Sequence, residues 1–508
     1  MNMKTALLWC VILGVGVGGG LVGCAGGDAA MKNDPLMIVR DPEKSAKKRV
    51  EAADRSWEMV ESGAGSRTST RESFKALAWP RSTPLELRVE IMRLLLSDTD
   101  PNGLQDAKEM AKLMLANENQ EAMVAFICSK AAEEGWIDFT TSIVRAWAKP
   151  RLSLSPKELR VEQQAIAAMY PGLPLDEVVF TVFLDPQVED GPFGIDWPAR
   201  ARADAWDVLT QLDPDGSKRW KLLESRGAQV AAANGVREVV DVRVCLLELR
   251  TIPRTSQELR WLTSLRRTDK PENLAWWRQS VAVLDGLTPD KKKGLELRHI
   301  EPIRWSSVNR GIWVLSSRES LLAELRGRLA EREFHRRTAH PKIGRPRPES
   351  LEAWESSMNW GDVLTVLVVD EAIRNRELAY DMFAYVGQDR EDGTTEYGGI
   401  VTEENDVYVA FLYPPRASTR KSDNEFVASE EMVLASDLSL AHFHLQVQHA
   451  KNRKFAGPSQ GDLVYAARSG RTCVVFTSID QDTLNVDVYQ PNGVVIDLGE
   501  IRRVDSPR

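Results

Sequence analysis

The hydrophobic period of this chain changes late in its length, and that change restricts the folds open to it. Up to about residue 340, apolar residues recur at the three- and four-residue intervals of amphipathic helices, as in LELRVEIMRLLL from Leu85. Beyond residue 395 they come in short β-branched or aromatic runs: EYGGIVT, DVYVAFLYPP, SLAHFHLQV, TCVVFTSI, LNVDVYQ and GVVIDLG. Helices bury a stripe at period 3.6 and strands a face at period 2, so the two stretches must pack differently. Aromatic usage divides near the same place. All 15 tryptophans lie at or before Trp360, and seven of the 8 tyrosines lie at or after Tyr380. The intervening AHPKIGRPRPES has linker composition, and Arg337, Arg345 and Arg347 read as solvated charges of that linker.

In the helical part, Thr83-Pro84-Leu85-Glu86 offers a cap residue, a proline for the first helical position and a glutamate at the third. Ser155-Pro156-Lys157-Glu158 opens LRVEQQAIAAM in the same way. The pattern [ST]-P-x-E-L-R-V-E thus recurs after 72 residues, two units of about 36, with a fainter echo at Ser256–Trp261. Stacked helical pairs of this length form α-solenoids of the HEAT or TPR kind, whose surfaces bind protein partners. Convergent capping on unrelated helices is the alternative. The run VVFTVFLDPQVEDGPFGIDW, Val178 to Trp197, breaks the pattern and reads as a long loop or short hairpin. His299, His335 and His340 have no metal-ligand spacing, and Trp276-Trp277 reads as core or groove packing.

In the C-terminal part, VLTVLVVDEAIRNRELAYDMFAYV reads as a strand running into a helix, and DLVYAARSG as a short helix closed by Gly470. The fold expected is therefore multidomain. A helical-repeat domain spans residues 71–340, a linker 341–362, and an α/β domain with a mixed sheet 363–508.

A length of 508 residues suits about three domains. A net charge of −8 argues against nucleic acid as a partner, since such binders carry a basic face. The N-terminus starts with Lys4 and continues into an apolar, Gly-rich run ending in Leu21-Val22-Gly23-Cys24, which resembles the bacterial lipobox. The resemblance implies a signal peptide over residues 1–23, lipid on Cys24 and a tether over 24–70. It also implies anchoring to the membrane in the cell envelope, with Ala25 favouring the outer membrane over the inner. Cys128, Cys245 and Cys473 each sit in an apolar run and read as buried thiols, not as a disulfide framework.

Three of the 6 histidines, His442, His444 and His449, lie within a few residues. On a strand, His442 and His444 point to one face while Phe443 points to the other, a geometry that suits two ligands of Zn²⁺. Asp462, in Ser459-Gln-Gly-Asp462, offers a third ligand, although S-x-x-D before an apolar run is equally a capping box. Upstream, Glu396 precedes the Gly398-Gly399 strand entry. Glu before Gly-Gly, then H-x-H, then S-x-x-D closely resembles the JAMM (MPN+) zinc metalloprotease family over about Val363–Arg508. The resemblance implies His442, His444 and Asp462 as zinc ligands and Glu396 as general acid/base. It implies Ser459 as a stabiliser of the oxyanion. The chain departs from the family in three ways. Fourteen residues, Leu445–Pro458, separate the second histidine from the serine, more than is usual; Leu445 replaces the common proline; and bulky Phe443 sits between the histidines. The longer insertion is either a basic loop over the cleft or a sign that another carboxylate is the third ligand. His449, inside it, reads as an exposed loop residue. The function expected is zinc-dependent hydrolysis of a peptide or isopeptide amide. A non-catalytic envelope scaffold is the alternative.

Overall fold

The structure is a computed structural model describing residues 33–150, 160–188, 195–233, 235–337, 347–420 and 426–506. The leader with Cys24, the start of the second capped motif at Ser155, His340 and Arg345 lie outside the described residues. No helix among the described residues is long and apolar enough to cross a membrane. The chain forms two compact units. One holds the chain to Ala146 together with the helix Val161–Met169; the other holds everything from Tyr170 on, with Trp147–Pro150.

The first unit is helical. Where a tether was expected over 24–70, the chain already forms the helices Pro35–Arg40, Ala46–Glu61 and Arg67–Ala78. Val39, Ala52, Ala53 and Trp57 are buried there, and Trp57 stacks on Phe74 at 5.8 Å. Dense Lys, Arg and Glu hid that period. The recurring R-V-E has one repeated structural role. Arg88 Nε donates to the Ala78 carbonyl at 2.7 Å, Arg160 Nη2 to Ala146 at 3.4 Å, and Arg49 Nε to Val39 at 2.9 Å. Ala78 and Val39 lie in the last turn of the preceding helix, where carbonyls lack intrahelical partners. Pro84 sits at the N-cap of Leu85–Leu95, one position before the one expected.

The second unit joins helices to a six-stranded mixed sheet. The strands are β1 Gly398–Glu404, β2 Val407–Leu412, β3 Ala441–Gln446, β4 Cys473–Ser478, β5 Thr483–Tyr489 and β6 Val495–Arg502. Their order is β2-β1-β3-β4-β5-β6, and only the β3–β4 pair is parallel. Four helices position the site: α1 Ser256–Leu265, α2 Trp360–Ile373, α3 Arg376–Glu391 and α4 Gln460–Ser469.

Helix α2 corrects the strand expected at VLTVLVV. Every residue of it but Glu371 is buried, between the sheet and the helices Ile300–Asn309 and Arg318–Leu329. A helix apolar all round shows no amphipathic period and reads like a buried strand. Its start is fixed by a capping box between Asn359 and Asp362, and Asp362 also accepts from Arg298 Nη2 at 2.6 Å. Of the run from Val178 to Trp197, expected as a long loop or short hairpin, Val178–Leu184 instead belongs to the helix Leu175–Leu184, whose Phe183 packs on Trp206 at 4.7 Å. Nor do the contacts divide at residues 341–362. Leu351 is buried, and Asp497 N donates to the Glu349 carbonyl at 2.8 Å.

Helix α1 joins the upstream helices to the segments flanking β3, α4 and β4. Thr255 Oγ1 donates to the Arg468 carbonyl at 2.8 Å, Trp261 Nε1 to the Asp437 carbonyl at 2.8 Å, and the Arg471 guanidinium lies 3.3 Å from the Trp261 ring centre. Glu258 is buried against Gly470, whose φ of +70° ends α4 in the left-handed region. Burial, then repulsion from Glu296, push the Glu258 carboxyl up to about 7, against the Arg254 amide and the charges of Arg254 and Arg298. The folded chain therefore holds this proton more tightly than the unfolded one. That contribution to stability is complete below the ordinary glutamate range and is lost as pH rises through about 7. Glu258→Gln removes the loss and can keep the acceptor for Arg254 N. It should stabilise the protein relative to the parent at pH 8 by on the order of 3 kcal/mol, and little at pH 4. Thermal unfolding of both proteins across that range checks this; a difference that does not grow with pH contradicts it.

Candidate active site

The sheet sets the two histidines. On β3, Phe443 faces α3, stacking on Tyr385 at 6.4 Å and meeting Phe476 edge-on at 6.0 Å. His442 and His444 face the opposite side, where α4 packs on Cys473, Val475 and Tyr489. Both rings are buried and both are held by tyrosines. His442 Nδ1 lies 2.8 Å from Tyr465 Oη, and His444 Nδ1 lies 3.3 Å from Tyr489 Oη. Tyr465 comes from α4, and Tyr489 from β5, two strands across through Cys473. These tyrosines leave the Nε2 atoms for other partners. His442 Nε2 is buried and has none among the described residues, and His444 Nε2 lies 3.5 Å from Gln446 Nε2 and 3.6 Å from Asp462 Oδ2. Burial, then the charge of Arg471, push His442 well below the ordinary imidazole range. Burial lowers His444 too, against the pull of Asp462. Both rings are therefore neutral at pH 7, the form that ligates metal.

Glu396 arrives through strand pairing. Gly398 pairs with His444 and Gly399 with Phe443, and Leu445 N donates to the Tyr397 carbonyl at 2.9 Å, so Glu396 sits beside the end of β3. Gly399 is required by space. A methyl group there would lie 1.9 Å from the Phe411 carbonyl oxygen and 2.8 Å from the Phe443 ring. Glu396 is buried, and its Oε1 accepts from Gln448 Nε2 at 2.7 Å.

Ser459 and Asp462 begin α4 as a capping box. Ser459 N donates to Asp462 Oδ2 at 2.6 Å, and Asp462 N donates to Ser459 Oγ at 3.3 Å. The capping and the cavity-lining readings hold together. Glu396, His442, His444, Ser459 and Asp462 all line one cavity of about 510 Å³.

The insertion after β3 is part of that cavity's wall. Asn452 N donates to the Ser478 carbonyl at 2.8 Å, and Asn452 Nδ2 donates to the Gln446 carbonyl at 3.0 Å and to Gln448 Oε1 at 2.7 Å. His449 is exposed, as expected for a loop residue, and does not line the cavity. Arg337, read from sequence as a solvated linker charge, instead lines the cavity. It donates through Nη2 to the carbonyls of Phe455, at 3.1 Å, and Gly457, at 2.6 Å.

The donor set of the cavity suits a metal in part. Zn–N and Zn–O bonds of about 2.1 Å at a tetrahedral angle separate two ligand atoms by about 3.4 Å. The His444–Asp462 distance of 3.6 Å fits, and so does the unpartnered Nε2 of His442. The three side chains do not all gather as closely as a second group does. Among the described residues, Glu333, His335 and Glu500 bring their ligand atoms within 4.8 Å of one another and could also hold a metal ion. There His335 Nε2 lies 2.6 Å from Glu500 Oε1, and Glu333 is exposed. Their separation along the chain leaves no spacing signal. In the cavity, Asp462 Oδ2 also accepts from the Ser459 amide, and Tyr465 holds His442 at Nδ1. Cys128, Cys245 and Cys473 are buried and form no disulfide among the described residues, and Trp276 and Trp277 are buried, donating to Glu301 and Glu248.

No family model, curated protein or solved structure matches this chain.

Proposed function

We propose that this cavity is the active site of a JAMM-like zinc hydrolase that cleaves a peptide or isopeptide amide. The observation that carries the reading is the pair of neutral, buried imidazoles, each held at Nδ1 by a tyrosine, in one cavity with Asp462 and a buried glutamate. His442, His444 and Asp462 would hold the ion. Zinc bound there supplies a Lewis acid and lowers the pKa of a water molecule to about 7. Glu396 takes the proton of the attacking water on its carboxylate and returns it to the leaving amine. Ser459 Oγ already accepts from Asp462 N, so its own hydrogen is left to meet the developing oxyanion. Gln257, Gln446, Gln448 and Asn452 add amide side chains to the walls, suited to the donors and acceptors of a peptide backbone. With the lipobox-like leader, the substrate would be a peptide of the cell envelope.

The test is hydrolysis of a mixed peptide pool by the purified protein before and after chelation. Cleavage should stop with the chelator, return with zinc, survive His335→Ala and be lost in His444→Ala. Cleavage indifferent to chelation would overturn the proposal. Dependence on His335 in place of His444 would overturn it as well, by moving the metal to the Glu333–His335–Glu500 group.

A further inference from the structure

Arg337 is a half-buried cation of the cavity that the hydrolase reading leaves unused. Its Nη2 ties down the far end of the insertion, but its Nε is buried and has no hydrogen-bond partner among the described residues. The charged groups facing it are Asp462 on α4, Glu349 from the segment before α2, Asp487 on β5 and Glu396 before β1. Among the described residues Arg337 forms no ion pair with Asp462, Glu349 or Asp487: Asp462 Oδ2 lies 3.6 Å from His444 Nε2, and Glu349 Oε2 and Asp487 Oδ1 are buried without a hydrogen-bond partner. Glu349 and Asp487 are poor counter-ions. Burial and the neighbouring Asp497 push Glu349 up to about 7, and burial with the same neighbour also pushes Asp487 well above the ordinary carboxylate range. Glu396 and Asp462 remain, and a divalent ion held as proposed above balances those two charges. The guanidinium is then left without a counter-charge in a partly buried wall, a costly state unless an anion arrives with the substrate. A guanidinium fork with a free N–H suits a carboxylate better than any other common peptide group. Arg468, exposed at the same cavity, adds positive charge where a peptide would enter.

Resting on the hydrolase reading, we propose that Arg337 binds a substrate carboxylate, so that this protein acts on amides next to a free C-terminus or an acidic side chain. The experiment measures peptide binding to zinc-loaded protein carrying Glu396→Gln, which prevents turnover, with zinc content determined on each sample. The probes are acetyl-Ala-Ala as acid and as amide, and acetyl-Glu-Ala-amide against acetyl-Gln-Ala-amide. At least one carboxylate should bind about tenfold or more tighter than its neutral partner, as expected for a desolvated charge pair. The first pair reports a C-terminal carboxylate and the second a side chain. Arg337→Gln, which can still donate to the Phe455 and Gly457 carbonyls, should bring that ratio to about one with zinc unchanged, and Arg337→Lys should keep part of it. Zinc-loaded protein with no carboxylate preference, or an undiminished preference in Arg337→Gln, would overturn the assignment while leaving the hydrolase reading intact. A parent protein that takes up no zinc would overturn both.

Discussion

Glu396→Gln is expected to abolish amide hydrolysis while leaving fold and zinc content as they are. The carboxylate is buried at the end of β3 and accepts from Gln448. An amide of the same shape still offers an oxygen to that donor, so the wall of the cavity need not move. What it cannot do is take a proton from water and pass it to the departing nitrogen. Losing a positioned general acid/base costs about 10²–10⁴ in rate. The measurement is kcat/KM for any substrate found by the chelation test, alongside zinc content and thermal unfolding. A rate within about tenfold of the parent would mean that another group carries the proton. A fall in zinc would place Glu396 among the ligands instead.

The parts of this site that were legible in the sequence are local. The H-x-H alternation places His442 and His444 on one face of β3, and the S-x-x-D box with Gly470 fixes both ends of α4. All six strands follow their β-branched and aromatic runs. The chain order Glu396, H-x-H, S-x-x-D is legible too, and these residues line one cavity. The illegible parts depend on pairing or on burial from every side. Tyr489 reaches His444 only because β5 pairs with β4, and β4 with β3. Arg337 reads as a linker charge until the insertion folds back and offers it two carbonyls. Helix α2 lacks a period because it is covered all round; the Asn359–Asp362 box was its one local signal. The early helices failed for the opposite reason, since Val39, Ala52 and Trp57 are thinly spread among charges.

The second large effect concerns the metal itself. His442 offers an Nε2 that is buried, neutral and without a partner among the described residues, while Tyr465 holds the other ring nitrogen. A metal-ligating histidine is oriented by such a bond, and loss of an orienting partner alone costs about 10–100-fold in metal affinity. Loss of the ligand should cost more, because two protein ligands seldom hold zinc. His442→Ala is therefore expected to empty the site, and Asp462→Asn, which can still cap α4, should weaken it without unfolding the helix. His335→Ala should leave the zinc in place. The deciding measurement is the zinc content of the dialysed protein, parent against His442→Ala. About one zinc per chain in the parent and almost none in the variant is the result predicted for a site with three protein ligands. No zinc in the parent, or equal zinc in both, would contradict it.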